Sequence, residues 1–501
     1  MMEEKELQST LRHCWIVTSV ESHIQGFWEL ETESFDFQEL KLEKDAVEGD
    51  WFLSKLNTQF IIGVKGNESY YTINKIGKGD LNLTSYYKSP QKEVGLIKLA
   101  TFSLSYNMNP IPKRILPIIV ISQFCCTSLW FAGNGVMGDI VREFGLAENA
   151  LAHLTSSVQF GFISGTLVFA FLSIADRFSP SKVFFTCALL GAIFNAAFVW
   201  KGNTFPTLLL LRFLTGFFLA GIYPVGMKIA ADYYEKGLGK SLGFLVGALV
   251  IGTGFPHLLT SVGSSFSWTA TLFSTSSLAA LGGLLMVSFV PDGPHRKPAQ
   301  SLDFSAMFNI FGNKEFRSAA FGYFGHMWEL YAFWAFVPII LQTYANLHPQ
   351  ATLNIPLWSF AIIGIGSLAC VLGGYLSEAF GTKRVAFISL LLSGILCLAS
   401  PLLFSITSPF IFLALLLLWG MAVIADSPLF STLVAQNASP QIKGTALTIV
   451  NCIGFSITIF SIQLLSYLLQ SFNPTLIYLS LAAGPALGLA ALLRGGNQSF
   501  K

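Results

Sequence analysis

Twelve long apolar stretches fill this chain of 501 residues from residue 115 to residue 493, and charges are confined almost entirely to the gaps between them. The hydrocarbon core of a bilayer requires about 20 apolar residues per helix. Charged residues make up 12% of the chain, against about 25% in soluble domains, so buried helices of a large soluble protein explain the pattern poorly. The chain is therefore predicted to be an all-α membrane protein with twelve transmembrane helices. The predicted spans are 115–138, 151–175, 183–199, 205–229, 242–262, 268–290, 319–341, 357–379, 385–404, 410–434, 446–468 and 475–493.

The charge of the chain differs between its first 110 residues and the rest. Residues 1–110 carry 11 Lys and Arg against 16 Asp and Glu, a net charge of −5, whereas residues 111–501 carry 19 against 12, a net charge of +7. With both ends of the chain in the cytoplasm, fifteen basic residues lie on the cytoplasmic side and two, Arg142 and Lys201, on the other. Such an excess of Lys and Arg is typical of cytoplasmic loops. We therefore expect a multi-pass protein of a plasma membrane, in a bacterium the inner membrane, with both termini cytoplasmic.

Residues 1–110 are predicted to form a small β-rich soluble domain. Short alternating or aromatic runs between residues 26 and 103 are separated by turn sequences such as Gly77-Lys78-Gly79-Asp80, a pattern typical of a small barrel or sandwich. The step Gly26-x-Trp28 is similar to the start of a lipocalin chain. We see no cluster of catalytic residue types here. Two interpretations stay open: a cytoplasmic accessory or regulatory domain, and a barrel that senses a ligand.

The membrane part is predicted to consist of two six-helix halves, residues 111–290 and 319–501, joined by a cytoplasmic linker at 291–318. This linker is the longest internal connection and follows the sixth span. The loops after spans 2 and 8 repeat one pattern, because an acid is followed six residues later by a base in Asp176–Lys182 and again in Glu378–Arg384, 202 residues further on. Internal repeats of this kind are typical of secondary transporters, whose halves move about a site near the bilayer midplane.

With these features the chain resembles the major facilitator superfamily over residues 111–493. That family's loop signature, G-x-x-x-D-R-x-G-R-R, coincides with both repeated loops, although the second has Glu378 for Asp and Ala379 for Arg and the first has Leu172 for the first Gly. Arg212 in span 4, followed by Gly216, matches a second feature of the family. The resemblance implies two six-helix halves around a central cavity lined by spans 1, 4, 7 and 10. The loop positions that match are Asp176, Arg177, Lys182, Gly374, Gly381, Lys383 and Arg384.

The charged side chains of the repeated loops are candidates for a cytoplasmic latch. Asp176 and Glu378 are predicted to lie at helix ends near basic side chains, and breaking such an ion pair biases a two-state equilibrium. The alternative is that these residues are solvated turn charges, which only fix the orientation of the chain. The candidate gating residues are Asp176, Arg177, Lys182, Glu378, Lys383 and Arg384.

Few ionisable residues lie within the predicted spans, and those few are candidates for the substrate and proton pathway. A charged residue at the centre of a bilayer costs about 2.5–3.5 kcal/mol on insertion scales. Glu329 lies near the middle of span 7, with His326 one turn before it. This pair suits proton coupling, because water access and neighbouring groups set the protonation of such side chains. The alternative is a structural ion pair between Glu329 and Arg212.

Arg212 in span 4 and Asp426 in span 10 are the other charged candidates at membrane depth. Arg212 is either a contact for an anionic substrate, because guanidinium groups bind carboxylates and small oxyanions, or a charge relay to Glu329. Asp426 precedes Ser427 and Pro428, and a proline kinks a helix. Asp426 therefore either lines the cavity at a broken helix or caps the end of that helix.

Aromatic and amide side chains in spans 1 and 7 are weaker candidates for the same pathway. Trp130 and Asn134 lie in span 1, and Tyr331 lies two residues after Glu329. Amides in membrane helices often form interhelical hydrogen bonds worth about 0.6 kcal/mol. Asn134 is accordingly either such a bond or a contact for the substrate.

Together these features predict a proton-coupled secondary transporter of a small organic solute or anion, which works by alternating access. The sequence contains no nucleotide-binding P-loop, metal cluster or nucleophile constellation, so we expect neither ATP-driven pumping nor an enzyme, and no cofactor or metal. The expected partners are a small-molecule substrate, protons and the lipid bilayer, with no nucleic acid and with a single chain as the transport unit. Two alternatives stay open: a drug or metabolite efflux antiporter of the same fold, and a transporter-like sensor that reports ligand occupancy.

Overall fold

The computed structural model divides the chain into two compact units, Met1–Ile111 and Pro112–Lys501. In the first unit the structure describes the backbone of eight strands. In the second it describes residues 112–494 apart from 148, 235–237, 263–266, 297–309 and 439–442.

The first unit contains an eight-stranded antiparallel barrel. Its strands are β1 (Trp15–Val20), β2 (Phe27–Glu31), β3 (Gln38–Glu43), β4 (Gly49–Leu56), β5 (Gln59–Val64), β6 (Ser69–Gly77), β7 (Asp80–Lys88) and β8 (Leu96–Ser105). Each strand pairs with the next one along the chain, and β8 pairs with β1, so the sheet closes on itself. Closure satisfies the backbone groups that would otherwise be free at a sheet edge. A barrel of eight strands has an interior that side chains fill or that holds one small ligand.

The second unit is a bundle of helices. Its α-helices are α1 (Ile115–Thr127), α2 (Met137–Phe144), α3 (Ala150–Phe171), α4 (Ile174–Arg177), α5 (Pro180–Ala197), α6 (Phe205–Leu219), α7 (Tyr223–Tyr233), α8 (Leu238–Ser261), α9 (Trp268–Phe289), α10 (Lys314–Leu347), α11 (Ile355–Gly364), α12 (Gly366–Phe380), α13 (Thr382–Leu403), α14 (Pro409–Ala425), α15 (Ser427–Gln436), α16 (Lys443–Ser471) and α17 (Ala483–Arg494). Short 3₁₀ segments, Asn134–Val136 and Ile477–Ala482, precede α2 and α17. Among the described residues, eleven helices are long and apolar enough to cross a membrane when helices separated only by a kink are joined.

The first predicted span, residues 115–138, is interrupted in the structure. The apolar helix α1 has 13 residues, and turns and a 3₁₀ segment separate it from α2, so the count of twelve transmembrane helices stays a prediction. Arg212 of α6 donates hydrogen bonds to the carbonyl oxygens of Leu129 and Trp130 at the interruption. The Leu129 carbonyl also accepts from the N–H of Ala132 at 3.5 Å, whereas at Trp130 the guanidinium group replaces the main-chain donor of a continuous helix. The apolar pattern runs through the break and therefore could not indicate it.

The bundle has two halves, α1–α9 and α10–α17, which meet where α8 packs against α11 and α12 and where α3 packs against α16. Consecutive spans run in opposite directions, so the loops at residues 172–182 and 374–384 lie at the same end of the bundle. We call this the basic end, after the Lys and Arg residues of its loops, and the other the opposite end.

Glycines bring helix backbones together within each half. A Cβ atom on Gly161 of α3 would collide with the carbonyl group of Phe213 in α6, and one on Gly216 of α6 would collide with that of Val158 in α3. In the second half a Cβ on Gly325 would collide with the α17 backbone. Such close approach is typical of helix pairs in membranes, where small residues allow extensive van der Waals contact. It follows that the helices of one half are packed backbone to backbone.

The seam between the halves is looser. A Cβ atom on Gly254, Gly247 or Gly243 of α8 would lie 3.3, 3.4 and 3.8 Å, respectively, from the nearest atom of α11 or α12. The order of these three glycines runs from the opposite end to the basic end, so the space at this seam increases toward the basic end.

Candidate functional site

A cavity of about 340 Å³ lies between the two halves. We call it the central cavity. It reaches from Tyr331 and Phe455 in the middle of the bundle to Gln436, an exposed residue at the basic end of α15. None of its described lining residues is Asp, Glu, Lys, Arg or His. They are Tyr223, Met227, Leu242, Val246, Leu249, Tyr323, Met327, Leu330, Tyr331, Ile424, Ser427, Ser431, Thr432, Ala435, Gln436, Leu447, Asn451 and Phe455.

Aromatic rings close the cavity toward the opposite end. Trp130 packs against Tyr331 and Phe455 with ring centroids 5.7 Å apart in both pairs, and Phe131 packs against Trp334 at 6.5 Å. All five side chains are buried, and we call them the aromatic seal. The cavity therefore communicates with the basic end and is separated from the opposite end by tightly packed rings.

Two polar contacts join the halves at the opposite end. The amide of Asn354, which precedes α11, donates to the carbonyl oxygen of Ser261 at the end of α8 at 3.3 Å. The amide of Gln463 in α16 donates to the hydroxyl of Ser156 in α3 at 2.9 Å. The seal and these bonds together hold the bundle closed on that side.

Glu329 lies in the second half, is 1% exposed and accepts hydrogen bonds from two neutral groups. The indole N–H of Trp419 donates to Oε1 at 2.7 Å, and the hydroxyl of Ser393 donates to Oε2 at 2.9 Å. Arg212 belongs to the other half and binds different groups. The structural ion pair between Glu329 and Arg212 is therefore wrong for this arrangement, and so is a direct charge relay between them.

His326 and Asp426 form a separate buried pair. Nδ1 of His326 lies 2.8 Å from a carboxylate oxygen of Asp426, and each side chain is 1% exposed. Of the two interpretations of Asp426, the broken helix is present, because Asp426 separates α14 from α15, whereas its carboxylate caps neither. Ile424 and Ser427 line the central cavity, and Asp426 is not among its described lining residues. His326 therefore shares a helix with Glu329 but contacts a different carboxylate.

Arg212 is buried in the first half, where its guanidinium group binds protein atoms. Nη2 donates to the Trp130 carbonyl oxygen at 2.5 Å, and Nη1 donates to that of Leu129 at 3.3 Å and to Oδ1 of Asn195 at 3.2 Å. The Asn195 amide donates in turn to the hydroxyl of Ser276 in α9 at 3.0 Å. This network joins α5, α6 and α9 to the break after α1. Arg212 is not a described lining residue of the central cavity, so the structure gives no support to a contact with an anionic substrate.

The three weaker candidates have different positions. The Asn134 amide donates to the Thr155 hydroxyl at 2.9 Å, so Asn134 joins two helices, which is the first of its two interpretations. Trp130 belongs to the aromatic seal, and its indole N–H has no hydrogen-bond partner among the described residues. Tyr331 belongs to the seal and also lines the central cavity.

In the first repeated loop, Asp176 takes part in an ion pair. Nζ of Lys228 in α7 lies 2.8 Å from the Asp176 carboxylate and 3.6 Å from that of Asp232. Arg296, in the segment after α9, donates to the carbonyl oxygens of Asp176 and Phe178 at 2.8 and 2.7 Å. These contacts tie the loop to its own half and to the start of the linker.

The second repeated loop is arranged differently. Glu378 is exposed and has no ion pair among the described residues, whereas Lys383 is buried with Nζ 3.8 Å from a carboxylate oxygen of Glu315. The two repeats are therefore not equivalent, and a latch that acts through both of them stays a prediction. The other candidate gating residues, Arg177, Lys182 and Arg384, are exposed.

Residues 119–462 match the family model described as Major Facilitator Superfamily. The chain belongs to this superfamily. Membership and the eleven apolar helices together indicate an integral multi-pass membrane protein, and they point to a transporter rather than an enzyme.

Two solved structures show how far the superfamily fold is shared. A mutant of the nucleoside transporter NupG superposes with a TM-score of 0.59 at 17% sequence identity, covering 76% of this chain and 98% of NupG. The proton:xylose symporter XylE, bound to 6-bromo-6-deoxy-D-glucose, superposes with a TM-score of 0.60 at 15% identity, covering 75% of this chain and 94% of XylE. At these identities the likeness concerns the fold alone.

A curated relative matches a smaller part of the chain. The efflux pump FUB11 of Gibberella moniliformis is 27% identical over 150 residues, which are 27% of this chain and 25% of the pump. The chain thus spans about a quarter of the length of this relative.

Several side chains of this superfamily member were missed by sequence reasoning. Lys228 lies four residues before Asp232, a spacing that favours an ion pair on one helix face, and this spacing could have indicated it. Trp419 lies seven residues, or two helical turns, before Asp426, so the two residues share one face of the helix. This spacing could have indicated Trp419. No comparable spacing in the sequence indicates Ser393 or Asn195, because isolated polar residues occur in many spans.

Proposed function

We propose that this superfamily member is a secondary active transporter, which moves a small organic solute across the membrane by alternating access and couples that movement to protons. One observation carries the proposal: the central cavity lies between the two halves and opens toward the basic end, while the aromatic seal closes the opposite end. A cavity in this position is reached from one side at a time. Rocking one half against the other exchanges the open end without moving the site.

The looser seam between the halves supports rocking as the mode of motion. Helices within a half are in backbone contact at Gly161 and Gly216, whereas a Cβ added at the three glycines of α8 would lie no closer than 3.3 Å to the facing helices at the seam. Packed interiors resist deformation. Each half is therefore expected to move as a rigid body. The contacts that change during this motion are expected to lie at the seam, in the aromatic seal and at the bonds of the opposite end.

Two buried carboxyl groups in the second half support coupling to protons. Glu329 lies on α10, which lines the central cavity through Met327, Leu330 and Tyr331, and Asp426 lies between Ile424 and Ser427, which also line it. An ionised carboxylate at membrane depth requires a partner or water. The protonation of such a group therefore responds to the wetting of the cavity and to the ligand that occupies it. Uptake of a proton with the cavity open to one side and its release on the other couples the two movements.

Alternating access is tested by cross-linking the halves at the opposite end. The double substitution Asn354→Cys with Ser261→Cys places a thiol on each of the two residues that are now joined by the bond from the Asn354 amide to the main-chain carbonyl of Ser261 at 3.3 Å. A thermal-shift screen against a metabolite panel first identifies a solute, since ligand binding raises the apparent stability of the folded state. Oxidation should then stop counterflow of that solute in proteoliposomes, and reduction should restore it.

The two single substitutions are the controls, and oxidation should leave their counterflow unchanged. Counterflow that continues at the wild-type rate in the quantitatively cross-linked protein would contradict alternating access between these halves.

Export by proton antiport is the second candidate. The local match to an efflux pump and the largely apolar wall of the cavity favour it. Opposite pH gradients imposed on the same proteoliposomes distinguish the two directions, because a symporter accumulates solute with inward proton movement and an antiporter expels it.

We further propose that the barrel is a cytoplasmic accessory domain and that both ends of the chain lie in the cytoplasm of a plasma membrane, the inner membrane in a bacterium. The excess of basic residues on one side of the predicted topology supports this orientation. A single chain, with its own cavity, is proposed as the transport unit. Transport by protein that lacks residues 1–110 would support this carrier, whereas a ligand response without flux would favour the sensor.

A further inference from the structure

We propose that the central cavity selects an uncharged, amphipathic ring compound that carries hydroxyl, amide or carbonyl groups, and that it excludes organic anions and cations. The inference rests on the proposed transport function in treating the ligand of this cavity as the substrate. It narrows that substrate to one chemical class.

The first argument is the distribution of charge. No acidic, basic or histidine side chain is among the described residues that line the cavity. The buried charges nearby already have protein groups beside them: Arg212 binds two main-chain carbonyls and Asn195, Glu329 binds Trp419 and Ser393, and Nδ1 of His326 lies 2.8 Å from the Asp426 carboxylate. An ion that entered the cavity would lose water without gaining a counter-charge, which is strongly unfavourable. A neutral ligand avoids that loss.

The second argument is a group of three tyrosines that line the cavity. Tyr323 and Tyr331 are 5% and 2% exposed, and Tyr223 lies on the wall contributed by the first half. None of the three hydroxyls has a hydrogen-bond partner among the described residues. Buried polar groups in proteins are almost always hydrogen-bonded, so these hydroxyls are left for water or for a ligand.

The third argument is the polar strip formed by α15 on the same wall. The hydroxyls of Ser431 and Thr432 donate to the carbonyl oxygens four residues earlier, at 3.2 and 2.9 Å. Each hydroxyl oxygen can still accept a hydrogen bond, and the Asn451 amide can both donate and accept. A ligand with hydroxyl, carbonyl or amide groups matches these donors and acceptors, and none of them requires charge.

The fourth argument is the apolar and aromatic remainder of the wall. Ten of the eighteen lining residues are aliphatic, Met or Phe. The ring of Phe455 lies 5.3 Å from that of Tyr331 at the deep end of the cavity, and Met227 and Met327 line its sides. Aromatic rings and thioether sulfurs interact favourably with a planar ring. The wall therefore combines ring contacts with a few neutral polar groups, as small-molecule sites commonly do.

Exclusion of charge can be tested before any ligand is known. Ser427→Cys places a thiol on the cavity wall, and its rate of modification is measured with three methanethiosulfonates: neutral methyl, anionic sulfonatoethyl and cationic trimethylammonioethyl. Each rate is divided by the rate with 2-mercaptoethanol, and wild-type protein gives the background from native cysteines. We expect both charged reagents to be slower than the neutral one by about tenfold or more. Equal or faster modification by either charged reagent, or no modification by any of the three, would overturn the proposal.

A second substitution shows whether charge on the wall sets that selectivity. Adding Asn451→Asp to Ser427→Cys supplies one carboxylate at the wall. The relative rate of the cationic reagent should rise and that of the anionic reagent should fall further. Unchanged rates would mean that access, and not electrostatics, determines the pattern, and would overturn the argument from charge.

The chemical class is tested with two matched sets of probes: benzamide, benzoate and benzylammonium, and 2-naphthamide, 2-naphthoate and 2-naphthylmethylammonium. We expect the amides to protect the introduced thiol best. Tyr323→Phe should weaken that protection about three- to tenfold, the effect of one lost hydrogen bond. Tyr467→Phe, at a position that is 62% exposed, is the control and should change nothing. Better protection by a charged member of either set, or no effect of Tyr323→Phe, would refute the class.

Failure of the transporter proposal and failure of this inference give different results. Neutral selectivity of the thiol in proteoliposomes that show no flux of any solute would refute the transporter and leave the cavity chemistry intact. Flux of a charged solute through the cavity would refute this inference and leave the transporter intact.

Discussion

Glu329→Gln should abolish proton-driven accumulation while leaving the fold intact. The carboxylate accepts hydrogen bonds from Trp419 at 2.7 Å and from Ser393 at 2.9 Å. Glutamine keeps a carbonyl oxygen for the indole N–H. Its amide can donate to the Ser393 oxygen once that hydroxyl turns to the Leu390 carbonyl, which already lies 3.2 Å away. Because both contacts survive, we expect the free energy of unfolding to change by less than about 1 kcal/mol.

Glu329→Leu is the matched comparison, because it removes the acceptors as well as the proton. Ser393 can still donate to Leu390, but the buried indole N–H of Trp419 loses its partner. One unsatisfied buried donor costs about 1–3 kcal/mol. The midpoint of thermal unfolding should therefore fall clearly for Glu329→Leu and little for Glu329→Gln.

The assay is uptake into proteoliposomes of the solute returned by the thermal-shift screen, with and without a pH gradient. Glu329→Gln should lose accumulation against a gradient but retain substrate binding, and counterflow should continue, because a neutral amide mimics the protonated acid and releases no proton. A stable Glu329→Gln protein with full gradient-driven accumulation would refute the coupling role. A Glu329→Gln protein as unstable as Glu329→Leu would refute the hydrogen-bond argument.

Three further predictions concern other parts of the molecule. Arg212→Met leaves the Trp130 carbonyl and Oδ1 of Asn195 without their donor and should cost about 2–6 kcal/mol, seen as a lower unfolding midpoint; a wild-type midpoint would contradict the network. Asp176→Asn should slow uptake more than Glu378→Gln, because Asp176 has an ion pair with Lys228, whereas Glu378 has none among the described residues; equal effects would favour a latch that uses both loops. Labelling reagents that do not cross membranes should reach both ends of the chain from the same side, and labelling from opposite sides would show an odd number of spans.

The sequence located the spans well because bilayer thickness imposes a length that composition makes visible. It located the buried charges for the same reason, since an ionisable side chain stands out within an apolar stretch. Arg212, Glu329 and Asp426 are all buried in the structure. What the sequence could not supply was the set of partners of these charges.

The partners were hidden for physical reasons that differ from residue to residue. Arg212 binds main-chain carbonyls, which every residue carries and no pattern marks. Glu329 binds a serine and a tryptophan on other helices, and only tertiary packing brings them together. His326 was assigned to Glu329 because the two share a helix, yet the neighbouring helix break presents Asp426 to it at 2.8 Å.

The uneven spacing along α8 also offers a way to fix the conformation of the protein. At Gly243 the nearest facing atom, in α12, would lie 3.8 Å from an added Cβ, compared with 3.3 Å at Gly254 for an atom of α11, so α8 lies closest to the facing span near Gly254. A bulky side chain at Gly243 would keep α8 and α12 apart, so the two halves could no longer approach each other at the basic end. Graded substitution there, from alanine to leucine, would set the resting angle step by step without replacing any residue that lines the binding cavity.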